Sequence, residues 1–235
     1  MHLFYSTEID GNQIVLDETE SKHAVRVLRL GVGAGVRVLD GSGGLYSAEI
    51  SLPDPKHCRL TITGHQKEFG KRNFNLHIAI APTKNSDRLE WFVEKAAEIG
   101  IDEISLILCE HSERRTVNAV RLNKILVSAM KQSVKAYLPV LNPAEKFEDF
   151  IQKIYNENNM KFIAHCNPGE KFHLKDKIAS GDSVLVLIGP EGDFSPSEVE
   201  LAEKNGFTGI SLGSSRLRTE TAGVVACHIV NLANE

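Results

Sequence analysis

Hydrophobic residues after position 70 fall into two kinds of run that alternate along the chain. Short, continuous apolar runs rich in Val, Ile and Leu predict buried strands at 74–81, 104–108, 161–166, 183–188 and 208–212. Longer runs with helical spacing predict helices at 86–99 and 119–137. Further helices are predicted to begin at Ser195, where Ser-Pro-Ser-Glu forms a capping box, and at Thr219. This alternation predicts an α/β fold, a parallel sheet with helices on both faces.

The first 67 or so residues have a different pattern, in which short β segments are separated by turn residues. These segments lie at 13–16, 35–39, 45–50 and 58–63. Asp40–Gly44 predicts a hairpin between two of them, and Ser21–Leu30 predicts one helical piece. The pattern changes around 68–72. It therefore predicts a small β-barrel domain at 1–70, followed by the α/β domain at 71–235.

Composition predicts a globular protein without a membrane span or a metal. Of its 235 residues, 42% are hydrophobic, and no apolar run approaches the roughly 18 residues of a span. Met1–Asp10 also lacks a signal peptide's basic and apolar regions, so we expect a cytoplasmic protein. No CxxC, HxH or HxxxH motif occurs, which predicts no metal. The cysteines are expected to be reduced thiols: Cys58, Cys109, Cys166 and Cys227.

The net charge of −4 argues against a surface coated with basic residues for nucleic-acid binding. Charge is nevertheless concentrated locally, because residues 111–135 contain six basic side chains and one acidic side chain, Glu113. The six are Arg114, Arg115, Arg121, Lys124, Lys131 and Lys135. This stretch predicts a surface that an RNA backbone could approach. The alternative is a solvated helix face beside a basic loop.

Two glycine-bearing turns follow the predicted strands at 183–188 and 208–212. The first is Gly189-Pro190-Glu191-Gly192, and the second begins at Gly213 and leads through Arg216-Leu217-Arg218 to Thr219. Glycine permits close approaches that a Cβ would forbid. We expect the two strand ends to lie side by side and to form a crevice for a small ligand at the carboxyl edge of the sheet. The alternative is that both are merely tight turns.

The stretch from Leu185 to Ala222 resembles the C-terminal signature of the SPOUT methyltransferases, which use S-adenosylmethionine (SAM). It is most similar to the RsmE-type family, which methylates N3 of a uridine in small-subunit ribosomal RNA. His23–Leu30 followed by Asp40-Gly41 is similar to that family's RNA-binding domain, and Lys84–Gly100 resembles its first catalytic-domain helix. The resemblance covers essentially the whole chain. It implies a PUA-like barrel, a SPOUT domain with a deep trefoil knot, and a homodimer whose site is completed across the interface.

The resemblance and the turns together assign a set of candidate cofactor residues. They are Leu187, Ile188, Gly189, Pro190, Glu191, Gly192, Leu212, Gly213, Leu217, Arg218 and Thr221. Methylating uridine N3 requires removal of a proton and stabilisation of the anion that develops. Arg218 is the candidate cation, with a structural ion pair to Glu220 or Glu191 as the alternative. Glu191 and Glu220 are the candidate bases, although each is equally suited to capping backbone N–H groups.

Six basic residues are candidates for binding RNA, although each singly could be an ordinary surface charge. They are Arg26, Arg29, Lys84, Arg88, Arg114 and Arg115. Trp91 could stack on a base, with core or dimer packing as the alternative.

The chain departs from the family pattern at three places. Asp193 stands where the family has glycine, and the order Ser215-Arg216 displaces an arginine by one position. Lys135 replaces an arginine, which keeps the charge and loses bidentate geometry. The displaced arginine's carried-over role is therefore in doubt.

Two alternatives to the favoured function stay open. One is a SPOUT enzyme for another RNA position, such as a tRNA ribose 2′-hydroxyl, and the other is an RNA-binding protein with an inactive methylase fold. A Rossmann-type enzyme and a P-loop NTPase are disfavoured, because neither GxGxxG nor GxxxxGK[ST] occurs.

Overall fold

The computed structural model describes residues 2–154 and 159–235, and contacts divide the chain into two compact units. The first unit contains the residues up to Lys71 together with Met130–Leu138. The second contains Arg72–Ala129 and Pro139–Glu235. The division at Lys71 falls inside the stretch where the sequence pattern changes. The prediction of a single boundary did not include residues 130–138 in the first unit.

The first unit contains a curled sheet of six strands that encloses an apolar core. The strands are β1 (His2–Tyr5), β2 (Glu8–Asp10), β3 (Gln13–Val15), β4 (Gly35–Leu39), β5 (Leu45–Leu52) and β6 (Arg59–Gln66). Their order is β1-β4-β5-β6-β3-β2, antiparallel except between β1 and β4. Phe4, Ile14, Val38 and Leu60 lie fully buried in the core. The curled, half-barrel sheet confirms the predicted class of the N-terminal domain.

A short helix interrupts these strands where one was predicted. It is α1 (Glu18–Lys22), capped by the Asp17 carboxylate, and it continues as a π-helical turn at His23–Val27. Strands β1 and β2, of four and three residues, are not among the predicted strands.

The second unit is a seven-stranded, fully parallel sheet. Its strands are β7 (Leu76–Ile80), β8 (Glu103–Leu108), β9 (Val140–Lys146), β10 (Met160–Ala164), β11 (Phe172–His173), β12 (Val184–Ile188) and β13 (Thr208–Ser211). Their order is β11-β13-β10-β12-β7-β8-β9. The other α-helices of the described residues are α2 (Ser86–Ile99), α3 (Ala119–Gln132), α4 (Phe147–Lys153), α5 (Pro196–Lys204) and α6 (Thr219–Leu232). The strand–helix alternation is thereby confirmed.

Helices cover both faces of this sheet. Ala79 of β7 packs in one buried cluster with Phe147 of α4 and Val199 of α5. The next residue, Ile80, points to the other face, where α2 and α6 pack against each other. The sheet is therefore buried on both sides, which explains the continuous apolar runs of its central strands.

The predicted adjacency of the two signature strands is wrong, because β10 lies between them. Ala164 of β10 is level with Ile188 of β12 on one side and with Ile210 of β13 on the other. The expectation rested on the tendency of consecutive strands to be neighbours, which a crossover connection overrides here. Three strand ends, rather than two, therefore meet at this edge.

Three further differences concern α3, β9 and α4. Helix α3 ends at Gln132 and not at 137, since Val134 has a left-handed φ of 53° that no helix continues through. Strand β9 was not predicted because it contains Pro143 and polar residues and lies at the sheet edge. Helix α4 did carry a signal, the helical spacing of Phe147, Phe150 and Ile151, which the sequence analysis did not use.

Within residues 2–154 and 159–235, no helix is both long and apolar enough to cross a membrane. Over the same residues, no three His, Cys, Asp or Glu side chains are grouped as a metal site would need. The four cysteines carry free thiols, and Cys166 is the exposed one.

Packing of α2 against α6 depends on Gly223, so we expect Gly223→Ala to destabilise the protein. A Cβ at Gly223 would lie 2.6 Å from Cε2 of the fully buried Phe92 ring and 3.2 Å from Cδ1 of Ile80. Glycine-to-alanine changes in helices usually stabilise by about 0.5–1 kcal/mol. Overpacking here should instead lower the free energy of unfolding by about 1–3 kcal/mol, measured by urea denaturation. The control, His228→Ala at an exposed position of α6, should change it by less than about 0.5 kcal/mol. A stabilised Gly223→Ala variant would contradict this packing.

Candidate functional site

The carboxyl ends of β10, β12 and β13 open into a cavity of about 770 Å³. Apolar side chains form much of its wall: Ile188, Ile210, Leu212, Leu217 and Ala222. The remainder comes mainly from the loops that follow the three strands. A cavity of this kind, with apolar walls and convergent polar groups, is typical of a small-molecule site.

The loop after β12 is held from two sides. The Thr219 hydroxyl donates a hydrogen bond to the Gly189 carbonyl (3.0 Å), so the start of α6 is tied to this loop. On the other side, Oε1 of Glu191 accepts a hydrogen bond from the backbone N–H of Lys84 (3.0 Å). Glu191 thus binds a backbone N–H group, which favours a capping role for Glu191 over the role of catalytic base.

Asp193, the residue that departs from the family pattern, fixes the end of this loop. Its φ of 66° is left-handed, a conformation that Asp tolerates better than most residues. One carboxylate oxygen accepts a hydrogen bond from the Cys166 N–H (2.8 Å) and the other accepts from its neighbour Phe194 (2.9 Å). The side chain of Asp193 therefore joins the loop after β12 to the loop after β10.

The loop after β13 is more exposed and leads directly into α6. The Ser211 hydroxyl oxygen accepts a hydrogen bond from the N–H of Gly213 (3.1 Å), whose φ of 132° suits glycine. Arg218 then occupies the N-cap position of α6 without a side-chain capping bond. It is exposed and lines the cavity.

The loop after β10 was missed as part of the site. His165, Cys166, Gly169 and Lys171 all line the cavity. Burial lowers the pKa of His165, and the nearby Lys171 acts in the same direction, so the imidazole is neutral at physiological pH. The signal was available in the predicted strand at 161–166, because parallel strands end at one edge of a sheet.

Most of the predicted cofactor residues line this cavity, and three do not. Those that do are Ile188, Gly189, Pro190, Glu191, Leu212, Gly213, Leu217 and Arg218. Leu187 instead points into the core shared with α4 and α5, since side chains alternate along a strand. Gly192 lies against His111, where a Cβ would come within 2.9 Å of the His111 Cβ. Thr221 lines a separate cavity.

This second cavity, of about 280 Å³, is formed between α2 and the start of α6. It is lined by Asp87, Arg88, Trp91, Arg218, Glu220 and Thr221. Glu220 is buried, and its Oε1 lies 3.8 Å from Nε of Arg88. Among the described residues, Glu220 has Arg88 as its ion-pair partner and Glu191 accepts from the Lys84 N–H, so neither carboxylate is paired with Arg218. Trp91 is 43% exposed, which rules out the core as its location.

The predicted RNA-binding residues differ in how far their charges are already engaged. Lys84 pairs with Glu113 (2.7 Å), which raises the pKa of Lys84. Arg114 donates hydrogen bonds to the carbonyls of Thr83 and Lys84, at 2.8–3.1 Å, and so supports that loop. Arg115 is exposed at the surface.

Other basic residues are likewise either paired with a carboxylate or exposed at the surface. Arg121 pairs with Glu90, and Lys131 pairs with Glu20. In the first unit Arg26 and Arg29 are exposed, and Arg29 has a left-handed φ of 54°.

The chain was compared with known protein families, proteins and structures. The RNA methyltransferase domain family matches residues 70–231, and the RNA methyltransferase PUA domain family matches residues 16–63. A Ribosomal RNA small subunit methyltransferase E from Rickettsia conorii is 29% identical over 229 residues, which cover 95% of this chain and 91% of the relative.

Two solved structures are similar over nearly their whole length. A probable rRNA-methyltransferase from Porphyromonas gingivalis is 42% identical, with a TM-score of 0.91 and coverage of 100% of this chain and 98% of that one. A Ribosomal RNA small subunit methyltransferase E from Neisseria gonorrhoeae, bound to S-adenosyl methionine, is 26% identical. Its TM-score is 0.83, and the coverage is 97% of this chain and 95% of that one.

The RNA methyltransferase domain spans well over half of the chain and contains the whole 770 Å³ cavity. The PUA match falls on the curled N-terminal sheet. This chain therefore belongs to the RsmE-type family of SAM-dependent RNA methyltransferases, which join a PUA domain to an RNA methyltransferase domain.

Proposed function

We propose that this protein transfers a methyl group from SAM to N3 of a uridine in small-subunit ribosomal RNA. The observation that carries the proposal is the cavity at the ends of β10, β12 and β13, which coincides with the signature stretch 185–222. The ribosomal RNA substrate is taken from the names of the relatives, and N3 is taken from the family resemblance. The proposal includes a cytoplasmic location, where such an enzyme would meet ribosomal subunits.

The cavity fits the methyl donor in size and chemistry. Its volume lies within the roughly 300–1,000 Å³ of ligand clefts. Ile188, Ile210 and Leu217 supply apolar surface for an adenine ring, and backbone groups at Gly189 and Gly213 can hydrogen-bond to its edge. When bound, SAM supplies a methyl group activated by the sulfonium charge.

The protein's own task is to bind the base, remove the N3 proton and stabilise the charge that develops on the uracil oxygens. Arg218 suits the last role, because it is exposed, lines the cavity and has no carboxylate partner among the described residues. Glu220 is the better candidate base, since Glu191 already binds the Lys84 N–H.

The family resemblance also supports the proposal of a knotted C-terminal segment and a homodimer. Both features are inferred from the resemblance alone. RNA would be held by the PUA domain, for which Arg26 and Arg29 are candidates, and by exposed cations such as Arg115.

The proposed function predicts that the purified protein, SAM and small-subunit ribosomal RNA yield N3-methyluridine, detected by mass spectrometry of nucleosides. Ala222→Met should reduce the yield, because the longer side chain fills cavity space from within a helix. We expect its SAM affinity to fall about 10-fold or more, equivalent to about 1.4 kcal/mol, by calorimetry. Gln152→Met, at an exposed position of α4, is the control.

Other outcomes point to other functions. A methylated ribose or another base would indicate a different RNA position. Failure of the wild-type protein to bind SAM would favour an RNA-binding protein with an inactive methylase fold.

Asp193→Ala should weaken SAM binding about 10-fold, because two backbone N–H groups lose their acceptor and the left-handed φ becomes strained. Asp193→Asn, which keeps one acceptor oxygen and tolerates this φ, should bind more tightly than the alanine variant. Calorimetry of both variants, with Asp193→Gly to relieve the strain alone, separates the two causes. Equal affinities in all three variants would contradict a role for the Asp193–Cys166 bond in shaping the cavity.

Arg115→Ala should weaken RNA binding and flatten its salt dependence. Each lost single-strand phosphate contact should lower the log–log slope by about 0.7. Fluorescence anisotropy with labelled RNA between low and moderate salt measures this slope. Lys204→Ala, which removes a cation already paired with Glu200, is the control and should leave the slope unchanged. A wild-type slope in Arg115→Ala would locate the RNA elsewhere.

A further inference from the structure

The 280 Å³ cavity adjoins the proposed SAM cavity, because Arg218 lines both. Its volume of about 280 Å³ is close to the lower end of the roughly 300–1,000 Å³ of ligand clefts. It therefore suits a small, flat group such as one nucleobase. A group bound there would lie next to whatever occupies the larger cavity. Methyl transfer requires this proximity of donor and acceptor.

Glu220 is the unusual residue of this cavity. It is only 6% exposed, and its Oε2 has no hydrogen-bond partner among the described residues. The nearest cation, Arg88, is 3.8 Å away from the other oxygen, which is beyond hydrogen-bonding distance. Leaving a buried acceptor unpaired costs about 1–3 kcal/mol, and more for a charged group.

The position of Glu220 accounts for its negative charge, but it does not supply the hydrogen-bond donor that Oε2 lacks among the described residues. The residue lies in the first turn of α6, where the helix dipole favours a negative charge. The dipole supplies no donor to Oε2, however, and buried carboxylates are otherwise hydrogen-bonded in folded proteins. The cavity is therefore lined by a buried carboxylate, one oxygen of which has no hydrogen-bond donor among the described residues.

The surrounding side chains complement that acceptor. Arg88 and Arg218 are donors that line the same cavity, and the half-exposed Trp91 ring provides an aromatic surface. Together they offer hydrogen-bond donors, one central acceptor and a platform for stacking.

We propose that this cavity binds the target uracil, with Glu220 accepting from N3–H and Arg88 and Arg218 donating to the flanking carbonyl oxygens. The proposal rests on the proposed function and names the base-recognition part of that site. The Watson–Crick edge of uracil presents acceptor, donor and acceptor, which matches this set of side chains. Cytosine presents an acceptor at N3 and an amino group at C4, so it would oppose Glu220 with an acceptor and one arginine with a donor.

The same contact allows Glu220 to act as the base. The N3–H proton passes to the Glu220 carboxylate as N3 forms its bond to the methyl carbon with the electron pair so released. The S–CH₃ pair returns to sulfur, which leaves as a neutral thioether. The arginines stabilise the charge that develops on the uracil oxygens.

The test compares Glu220→Gln with Glu200→Gln, an identical change at an exposed position of α5. Wild-type protein first locates the methylated uridine in the RNA. At saturating SAM and RNA, single-turnover methylation by Glu220→Gln should then be about 100-fold slower or more. Its SAM affinity should be unchanged, which also shows that the variant is folded.

A second readout does not depend on catalysis. Wild-type protein should bind RNA with the located uridine more tightly than RNA with cytidine there, and Glu220→Gln should lose this preference. Arg88→Met, which leaves Glu220 intact, should reduce the preference as well.

Failure of the proposal is distinguishable from failure of the proposed function. If wild-type protein makes no N3-methyluridine, the proposed function is wrong and the base site falls with it. If wild-type protein is active and Glu220→Gln is as fast as Glu200→Gln, keeps the uridine preference, or loses SAM affinity, the base site alone is wrong.

Discussion

The parallel alignment of the seven strands is the constraint on which the rest of the C-terminal unit depends. In such a sheet every strand ends at the same edge, so the loops after β10, β12 and β13 must share the space beyond it. These loops separate enough to leave a cavity, and two hydrogen bonds fix that separation. Thr219 binds the Gly189 carbonyl, and Asp193 binds the Cys166 N–H. The site is therefore a consequence of strand direction, maintained by a few side-chain bonds between loops.

The positive charge available at the surface of this protein also depends on local side-chain contacts. In a chain of net negative charge, attraction of an RNA backbone depends on the local field of cations that are not already paired within the fold. Several basic side chains of the stretch 111–135 are engaged within the fold, such as Arg114 with two backbone carbonyls and Arg121 with Glu90. The basic surplus read from sequence consequently overstates the charge that an RNA phosphate would meet.

Sequence predicted the elements of the catalytic domain better than their arrangement. The central strands carry continuous apolar runs and helices α2 and α3 carry helical periodicity, because each buries a defined face. The order β13-β10-β12 could not be read in this way, since periodicity records burial and not which strand is the neighbour. Gly189 and Gly213, in the turns identified from the sequence, do line the cavity, whereas His165, in the loop after the intervening strand, was missed.

Individual site residues show the same limit. Glu191 and Glu220 are both acidic residues of the signature, and sequence gave no reason to treat them differently. The structure separates them, because Glu191 binds a backbone N–H and Glu220 is buried with an oxygen that has no partner among the described residues. Asp193 has a structural role that the family pattern did not suggest. Its two carboxylate oxygens accept hydrogen bonds from the backbone N–H groups of Cys166 and Phe194.

The first turn of α6 connects these observations, because it forms the wall between the two cavities. Successive residues of a helix point about 100° apart, so neighbours on this turn face different spaces. Arg218, Thr219 and Ala222 line the larger cavity, while Glu220 and Thr221 line the smaller one and Arg218 reaches both. Since Thr219 also ties this turn to the Gly189 loop, a shift of α6 would alter both cavities together. This one helical turn thus sets the position of Arg218, which lines both cavities, and of the Glu220 carboxylate, which lines the smaller one.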